Sequence, residues 1–195
     1  MNTLKMAHRA VRAAAWGCCA LGLGLAVQAA AVPTTALVAQ AMLARLYAQG
    51  TPDTRPAVAV TGADTVAMAR LSVARLGIRE IVLAGGSRQA LAMGPSMVLP
   101  AKPGAQAPVT VIAGHRDTHF RFVRALALGD VVELETKAGA GASRYRVIGF
   151  ETVRWDRFAV PADPARPLLA LATCYPFEGH GGGPLRRVAW AEAIE

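Results

Sequence analysis

Three kinds of reactive side chain stand next to short apolar runs in the second half of the sequence. Cys174 follows the run Leu-Leu-Ala-Leu-Ala-Thr, and His115 follows the run Val-Thr-Val-Ile-Ala-Gly. A pair of arginines, Arg186 and Arg187, comes shortly after the cysteine. A thiolate can attack a carbonyl, an imidazole can carry a proton, and a guanidinium can stabilise developing negative charge. The combination predicts covalent catalysis by the thiol.

The elements that must position these groups are short strands. The apolar runs from residue 66 onwards are separated by turn signals, and no long helical period lies between them. This pattern predicts an all-β barrel or sandwich. Residues 89–97 and 120–128 are the exceptions and are predicted as short helical turns. The predicted strands are Val66 to Val73, Ile78 to Ala84, Val109 to Ala113, Val131 to Thr136, Tyr145 to Phe150, Leu168 to Thr173 and Leu185 to Ala193.

The N-terminal part of the chain predicts a single membrane anchor. A basic segment precedes an uncharged stretch whose apolar part, from Ala13 to Val32, is about as long as a membrane span requires. The basic end is expected in the cytoplasm and the remainder outside. Cleavage as a signal peptide after Val27-Gln-Ala29 is the alternative. The predicted regions are a basic tail (1–12), a signal anchor (13–32), a membrane-proximal helix with its linker (33–57) and a catalytic domain (58–195).

Cys174 is the only one of the three cysteines outside this anchor, which holds Cys18 and Cys19. A single thiol in an exported domain has no partner there for an internal disulfide, so it is either reactive or a buried structural residue. Taken alone, Cys174 fits both interpretations equally well. The neighbouring imidazole and guanidinium favour the nucleophile, because a strand end holds a thiol rigidly and leaves it exposed in front.

Two histidines four residues apart, His115 and His119, raise the alternative of a zinc site completed by His180 and Cys174. The preceding strand and Gly114 indicate a turn rather than a helix at this point, and the His-Glu-x-x-His pattern is lacking. We therefore predict no metal and no cofactor. His180 is expected to be a solvated residue of the glycine-rich loop 178–184, which is predicted to form a mobile flap beside the reacting groups.

The chain carries a formal net charge of +8. Without the three basic residues of the tail, the charge is +5, from 18 basic and 13 acidic residues. A mildly basic exported domain favours anionic surfaces such as lipid headgroups or cell-wall polymers. Nucleic acid is not a predicted partner, because the arginines are scattered and no aromatic-studded basic run accompanies them.

Several motifs, in their order along the chain, resemble the sortases, which are cysteine transpeptidases anchored in bacterial membranes. The resemblance is strongest to the class D-like group of proteobacteria and runs from about residue 69 to the C-terminus. It implies a closed eight-stranded sortase β-barrel, held on the periplasmic side of the bacterial inner membrane by the single-pass anchor. The motifs are Arg75-Leu-Gly-Ile-Arg-Glu-Ile-Val-Leu-Ala-Gly-Gly-Ser87, Ala92-Met-Gly-Pro95, Ala113-Gly-His-Arg-Asp-Thr-His-Phe120, Leu128-Gly-Asp130 and Ala172-Thr-Cys-Tyr-Pro-Phe177.

The resemblance also implies roles for individual residues. His115 matches the family histidine, Cys174 the nucleophile and Arg186 the arginine of the Gly-Pro-Leu-Arg ending. The residues expected to contact substrate are Thr173, Ala113, Gly114 and Tyr175. The sequence departs from the family at Ala170, because the family's cysteine motif, Thr-Leu-x-Thr-Cys, has threonine at this position. It departs again at Arg187, often apolar or aromatic in relatives, so the choice between the two arginines stays open.

The implied reaction cleaves a C-terminal sorting signal of LPxTG type in a partner protein and passes the acyl group to an amine. The acceptor is expected to be a peptidoglycan stem or another protein. The alternative is a non-catalytic, membrane-tethered barrel that binds peptides in its groove. Retention of thiol, imidazole and guanidinium favours the enzyme.

Overall fold

The computed structural model describes residues 15–23, 37–48, 66–100, 107–136, 141–179 and 181–194. Eight strands close into a barrel in the order β1-β2-β3-β4-β7-β8-β6-β5. The eight-stranded barrel implied by the family resemblance is thereby confirmed. The strands are β1 Ala67–Val73, β2 Ile78–Ala84, β3 Ser96–Leu99, β4 Val109–Gly114, β5 Val131–Thr136, β6 Ala142–Arg154, β7 Leu168–Tyr175 and β8 Leu185–Ile194.

In the part of the chain that the structure describes, three α-helices accompany the strands: α1 (residues 15–23), α2 (residues 37–48) and α3 (Arg88–Met93). Short 3-10 turns cover Ala74–Leu76, Arg121–Ala125 and Trp155–Arg157. Within the described residues, no helix combines the length and the hydropathy that a membrane crossing needs. Helix α1 lies inside the predicted anchor, and the rest of that segment lies outside the described residues, as does the predicted linker.

Alternation along the strands separates an inner and an outer face of the barrel. In β5 the buried residues are Val132 and Leu134, while the residues between them are partly exposed. In β7 residues 168–171 are all buried, as expected for a strand covered on both faces. The inner face forms the main core with Phe120, which follows β4. The outer faces of β4, β7 and β8 contribute a second apolar cluster around Val111, Ala170 and Val188.

One predicted helical turn was partly wrong. The sequence pattern placed a single helical turn over residues 89–97, but the structure has α3 followed directly by β3. Gly94 and Pro95 separate the two, because proline and an extended glycine end the helix. Strand β3 has only four residues, which are too few to show an apolar period in the sequence. It pairs in parallel with β2.

Helix α2 packs against the outside of the barrel. Leu43 and Tyr47 are buried against a cluster that contains Ile81 and Leu83 of β2. The Gln40 side chain accepts a hydrogen bond from the Ile81 backbone N–H (2.7 Å) and donates one to its carbonyl oxygen (3.2 Å). The Tyr47 hydroxyl donates to the Glu135 carbonyl of β5 (2.9 Å). The helix thus supplies partners for backbone groups as well as apolar contact.

A bidentate ion pair between Arg75 and Asp130 ties the turn after β1 to the turn before β5. Arg75 Nε lies 2.5 Å from one carboxylate oxygen of Asp130, and Nη2 lies 2.6 Å from the other. The Ala127 backbone N–H donates to the same carboxylate at 2.8 Å. The hydrogen bond from Arg75 is the main cause that lowers the pKa of Asp130, against the opposing effect of burial.

We expect Asp130→Asn to lower the free energy of unfolding by about 1–3 kcal/mol at pH 7, because a largely buried carboxylate loses charge-assisted hydrogen bonds. The pKa of Asp130 is lower in the folded than in the unfolded chain, so its contribution is full well above about pH 3.9 and disappears as pH falls through the folded value. Urea unfolding at pH 7 and near pH 3 measures both effects. Asp156→Asn, in an exposed pair with Arg154, is the control and should change stability little. A difference between Asp130→Asn and wild type that persisted undiminished at pH 3 would contradict the assignment.

Candidate active site

Three neighbouring strands end at one rim of the barrel and bring the predicted reactive groups together. Strand β7 pairs in parallel with β4, so that Gly114 lies opposite Thr173. It pairs antiparallel with β8 on its other side, so that Cys174 lies opposite Arg186. His115 follows Gly114 directly, one residue beyond the last pair of β4 with β7. Cys174 therefore lies between the histidine strand and the arginine strand.

The antiparallel register places Cys174 and Arg186 on the same face of the sheet, because directly opposite residues share a face. Their Cβ atoms are expected at about 4.5–5.5 Å in this arrangement. Cys174 is partly buried, and Arg186 is partly exposed at the rim. The Arg186 guanidinium donates to the carbonyl oxygens of Gly183 (2.7 Å) and Leu185 (2.9 Å), which hold it in place. Nη1 of Arg186 is thus held by two backbone carbonyl oxygens.

Arg187 occupies the opposite face of β8. It lies opposite Thr173 in the register, its guanidinium stacks over the Phe150 ring at 4.9 Å from the centroid, and Nη1 donates to the Thr152 hydroxyl at 3.1 Å. These contacts direct the side chain towards β6. The sequence left open which of the two arginines serves the site. In the structure Arg186 shares a face of the sheet with Cys174, and Arg187 does not.

The turn that carries His115 is fixed by close packing. The backbone N–H of Phe120 donates to the His115 carbonyl at 2.9 Å, and the Phe120 ring lies directly against Gly114. A Cβ atom at Gly114 would approach Phe120 Cγ to 2.6 Å, so only glycine fits here without a shift of the ring. His115 itself is exposed to solvent at the rim, where it can reach a bound substrate.

The residues predicted to contact substrate lie around the same rim in different environments. Thr173 is 2% exposed, and its hydroxyl donates to the Gly114 carbonyl at 2.7 Å, which ties β7 to β4. Ala113 is partly exposed on the outer side of β4, beside Ala172. Tyr175 packs edge-on against Phe177 with ring centroids 5.7 Å apart. Their contact with substrate stays a prediction.

An apolar cluster on the outer face of the barrel borders Cys174, and Ala170 and Val188 within it are fully buried. The small side chains of Ala170 and Ala172 lie on the same face of β7 as the thiol, and Val188 and Trp190 continue this surface on β8. Phe158, from the segment between β6 and β7, stacks on Trp190 at 5.9 Å. At the far end of β4 a pocket of about 160 Å³ lies among Leu99, Val109, Val160 and Pro161.

Larger cavities lie elsewhere and do not include the reactive groups in their linings. One of about 580 Å³ is at the opposite end of the barrel, near Met68 and Thr110. Another of about 700 Å³ lies beneath α2, beside Arg79 and Glu80.

His119, a member of the alternative zinc site, is buried and has its own partner. Its Nδ1 lies 3.1 Å from a carboxylate oxygen of Glu80 on β2. Among the residues that the structure describes, no three histidine, cysteine, aspartate or glutamate side chains converge to hold a metal ion. His180 lies outside the described residues. The described part of the chain therefore offers no metal cluster around Cys174.

Comparison with known proteins identifies the family. A family model described as a sortase domain matches residues 71–194, which is more than half of the chain, and the chain therefore belongs to the sortase family. The family is one of cysteine transpeptidases, so the sequence-based prediction of a sortase is confirmed. Sortase D of Bacillus subtilis (strain 168) is 31% identical over 85 residues, which cover 43% of this chain and 42% of that protein. The chain thus aligns with less than half of that relative.

Solved structures share the fold at low sequence identity. Sortase A from Corynebacterium diphtheriae matches with a TM-score of 0.58 and 16% identity, over 74% of this chain and 73% of its own. Sortase C-3 from Streptococcus pneumoniae matches with a TM-score of 0.57 and 23% identity, over 69% of this chain and 66% of its own. These likenesses establish the barrel as the sortase fold.

Proposed function

We propose that this protein is a membrane-anchored transpeptidase that cleaves an LPxTG-like C-terminal sorting signal through a Cys174 thioester and transfers the acyl group to an amine. The observation that carries the proposal is the register of β7. Cys174 lies opposite Arg186 of β8. Thr173, the residue before Cys174, lies opposite Gly114 of β4, the residue before His115. Family membership independently supports cysteine-dependent transpeptidation.

In the first half-reaction the Cys174 thiolate attacks a peptide carbonyl carbon, and the carbonyl electrons move to its oxygen. The Arg186 guanidinium, on the same face as the thiol, stabilises this oxyanion or holds the adjacent substrate backbone. When the C–N bond breaks, imidazolium at His115 gives its proton to the departing amine. The products are a thioester on Cys174 and a free C-terminal fragment.

In the second half-reaction an amine attacks the thioester. His115, now neutral, accepts the proton from the attacking nitrogen, and the thiolate of Cys174 leaves. The acyl group ends in a new amide bond, and the enzyme regains its starting protonation. A peptidoglycan stem or an amine of another protein fits this role. The exposed position of His115 gives such a large acceptor access.

The apolar outer face beside Cys174 supports an extended peptide as the substrate. Ala172 and Trp190 are partly exposed on this face, and the pocket near Val160 and Pro161 can receive an apolar side chain of the signal. A protein substrate with an apolar sorting motif matches these surfaces.

The membrane anchor and the location are proposed from the sequence. Basic residues before an uncharged apolar stretch favour a single pass through the bacterial inner membrane, with the barrel on the periplasmic side. The substrate would then meet the enzyme after export.

Intact-mass spectrometry tests the proposed reaction. Wild-type protein incubated with an LPxTG-type peptide should gain the mass of the N-terminal peptide fragment, and digestion should map the adduct to Cys174. Added triglycine should remove the adduct and yield the peptide joined to triglycine. Turnover without an adduct would contradict the covalent mechanism. Turnover restricted to peptides unrelated to LPxTG would contradict the substrate class.

A further inference from the structure

Arg116, the residue after the candidate catalytic histidine, is a buried charge whose partners lie almost entirely in one loop. It is 4% exposed, and its guanidinium donates to the carbonyl oxygens of Pro176 (2.8 Å), Gly181 (2.6 Å) and Gly179. The carboxylate of Asp117 lies 3.4 Å away and is itself 71% exposed. A buried guanidinium is costly unless its donors are satisfied, so these carbonyl oxygens are what stabilise it there.

All three carbonyls belong to the connection between β7 and β8, which joins Cys174 to Arg186. We call the described residues of this connection, 176–179 and 181–184, the β7–β8 loop. Arg116 binds its first part, and Arg186 binds the Gly183 carbonyl near its end. The loop is therefore fixed by a guanidinium at each end. The histidine turn, the loop and the arginine strand form one connected set of hydrogen bonds.

The loop conformation is fitted to the Arg116 side chain. A Cβ atom at Gly179 would lie 3.3 Å from Arg116 Nη1 and 3.2 Å from Pro176, so a side chain there would require its neighbours to shift. Gly181 has a φ of 74°, a left-handed conformation that glycine adopts without strain, and its carbonyl accepts a hydrogen bond from Arg116 Nη2. Lysine could not replace this arginine, because a single ammonium lacks the fork that reaches several carbonyls at once.

We propose that Arg116 is a positioning residue that holds the β7–β8 loop closed and, through Gly183, fixes the Arg186 guanidinium beside Cys174. The inference rests on the proposed function, since it assigns Arg116 an effect on the same site. Its action is indirect, through the loop and Arg186. A loop that opened would leave Arg186 free to move, and small displacements of a catalytic group can cost about 100-fold in rate.

Hydrogen exchange measured by mass spectrometry tests the loop directly. Arg116→Met and Arg116→Lys should both speed exchange in peptides that cover the β7–β8 loop, including the Gly179 N–H that is bonded to the Pro176 carbonyl. Arg121→Met changes an exposed arginine of the neighbouring 3-10 turn and should leave loop exchange unchanged. If Arg116→Met does not fold, Arg116→Lys decides the question. Loop exchange equal to wild type in the folded variants would overturn the proposal.

A double-mutant cycle tests the connection to Arg186. Arg116→Met should lower kcat/KM by about 100-fold, mainly through kcat, and should cause no further loss in an Arg186→Ala background, because both changes remove the same interaction. Losses that multiply would overturn the link to Arg186. If wild type shows no transpeptidation, the proposed function fails, while the exchange experiment still decides whether Arg116 holds the loop.

Discussion

Replacing Cys174 with alanine should abolish transpeptidation, with kcat/KM reduced by at least about 10⁴-fold, because no other group of the site can form the acyl intermediate. The fold should persist, since Cys174 lies partly exposed at the end of β7 and belongs to none of the three apolar clusters described above. Peptide cleavage followed by chromatography measures activity, and circular dichroism with thermal unfolding checks the fold.

The chain supplies a matched control for this experiment. Cys18 and Cys19 are also free thiols and lie exposed in α1. Their joint replacement by alanine should leave kcat/KM unchanged, which separates loss of a nucleophile from a general effect of thiol removal. Full turnover by Cys174→Ala would remove the enzyme assignment. Peptide binding without any turnover in wild type would instead support the non-catalytic binding module.

Replacing Arg186 with alanine should have the second-largest effect, a fall in kcat/KM of about 10²–10³-fold, which is typical for the loss of one group that stabilises an oxyanion. Arg186 shares its face with Cys174, whereas Arg187 is directed to Phe150 and Thr152. Steady-state kinetics on a sorting-signal peptide provide the measurement.

Arg187→Ala is the matched control, because it removes the same side chain one position along the same strand. It should change activity little and reduce stability by about 0.5–1 kcal/mol through the lost contact with the Phe150 ring. Loss of activity in Arg187→Ala with near-normal activity in Arg186→Ala would reverse the assignment. Equal large losses of activity in both folded variants would show that the face of β8 on which an arginine lies does not decide whether it acts in catalysis.

The strands of the barrel were largely predictable from sequence, because each carries its own apolar pattern. The predicted bounds of β2 and β5 match the structure. Strand β3 was missed because Ser96–Leu99 is too short to show a period. Strand β6 extends beyond the predicted Tyr145 to Phe150 at both ends, because residues 142–144 and 151–154 are mostly exposed and show no apolar pattern.

The part of the site that sequence could not reveal is the part made by non-local contacts. Arg116 reads as an ordinary solvated charge in a polar turn, yet it is buried by carbonyl oxygens some 60 residues later in the chain. Likewise, the pairing of His119 with Glu80 links two segments whose proximity only the closed barrel creates. Any residue type can supply a backbone carbonyl acceptor, so no sequence motif could have indicated that Arg116 holds the β7–β8 loop.

The packing of α2 against the barrel determines where a recombinant fragment of this protein should begin. The surface of β2 around Ile81 and Leu83 is completed by Leu43, and the Ile81 backbone is hydrogen-bonded by Gln40. A recombinant fragment that began at β1 would expose this apolar surface to water and leave those backbone groups to the solvent. The cooperative folding unit thus includes residues 37–48, and an expression fragment should start upstream of them.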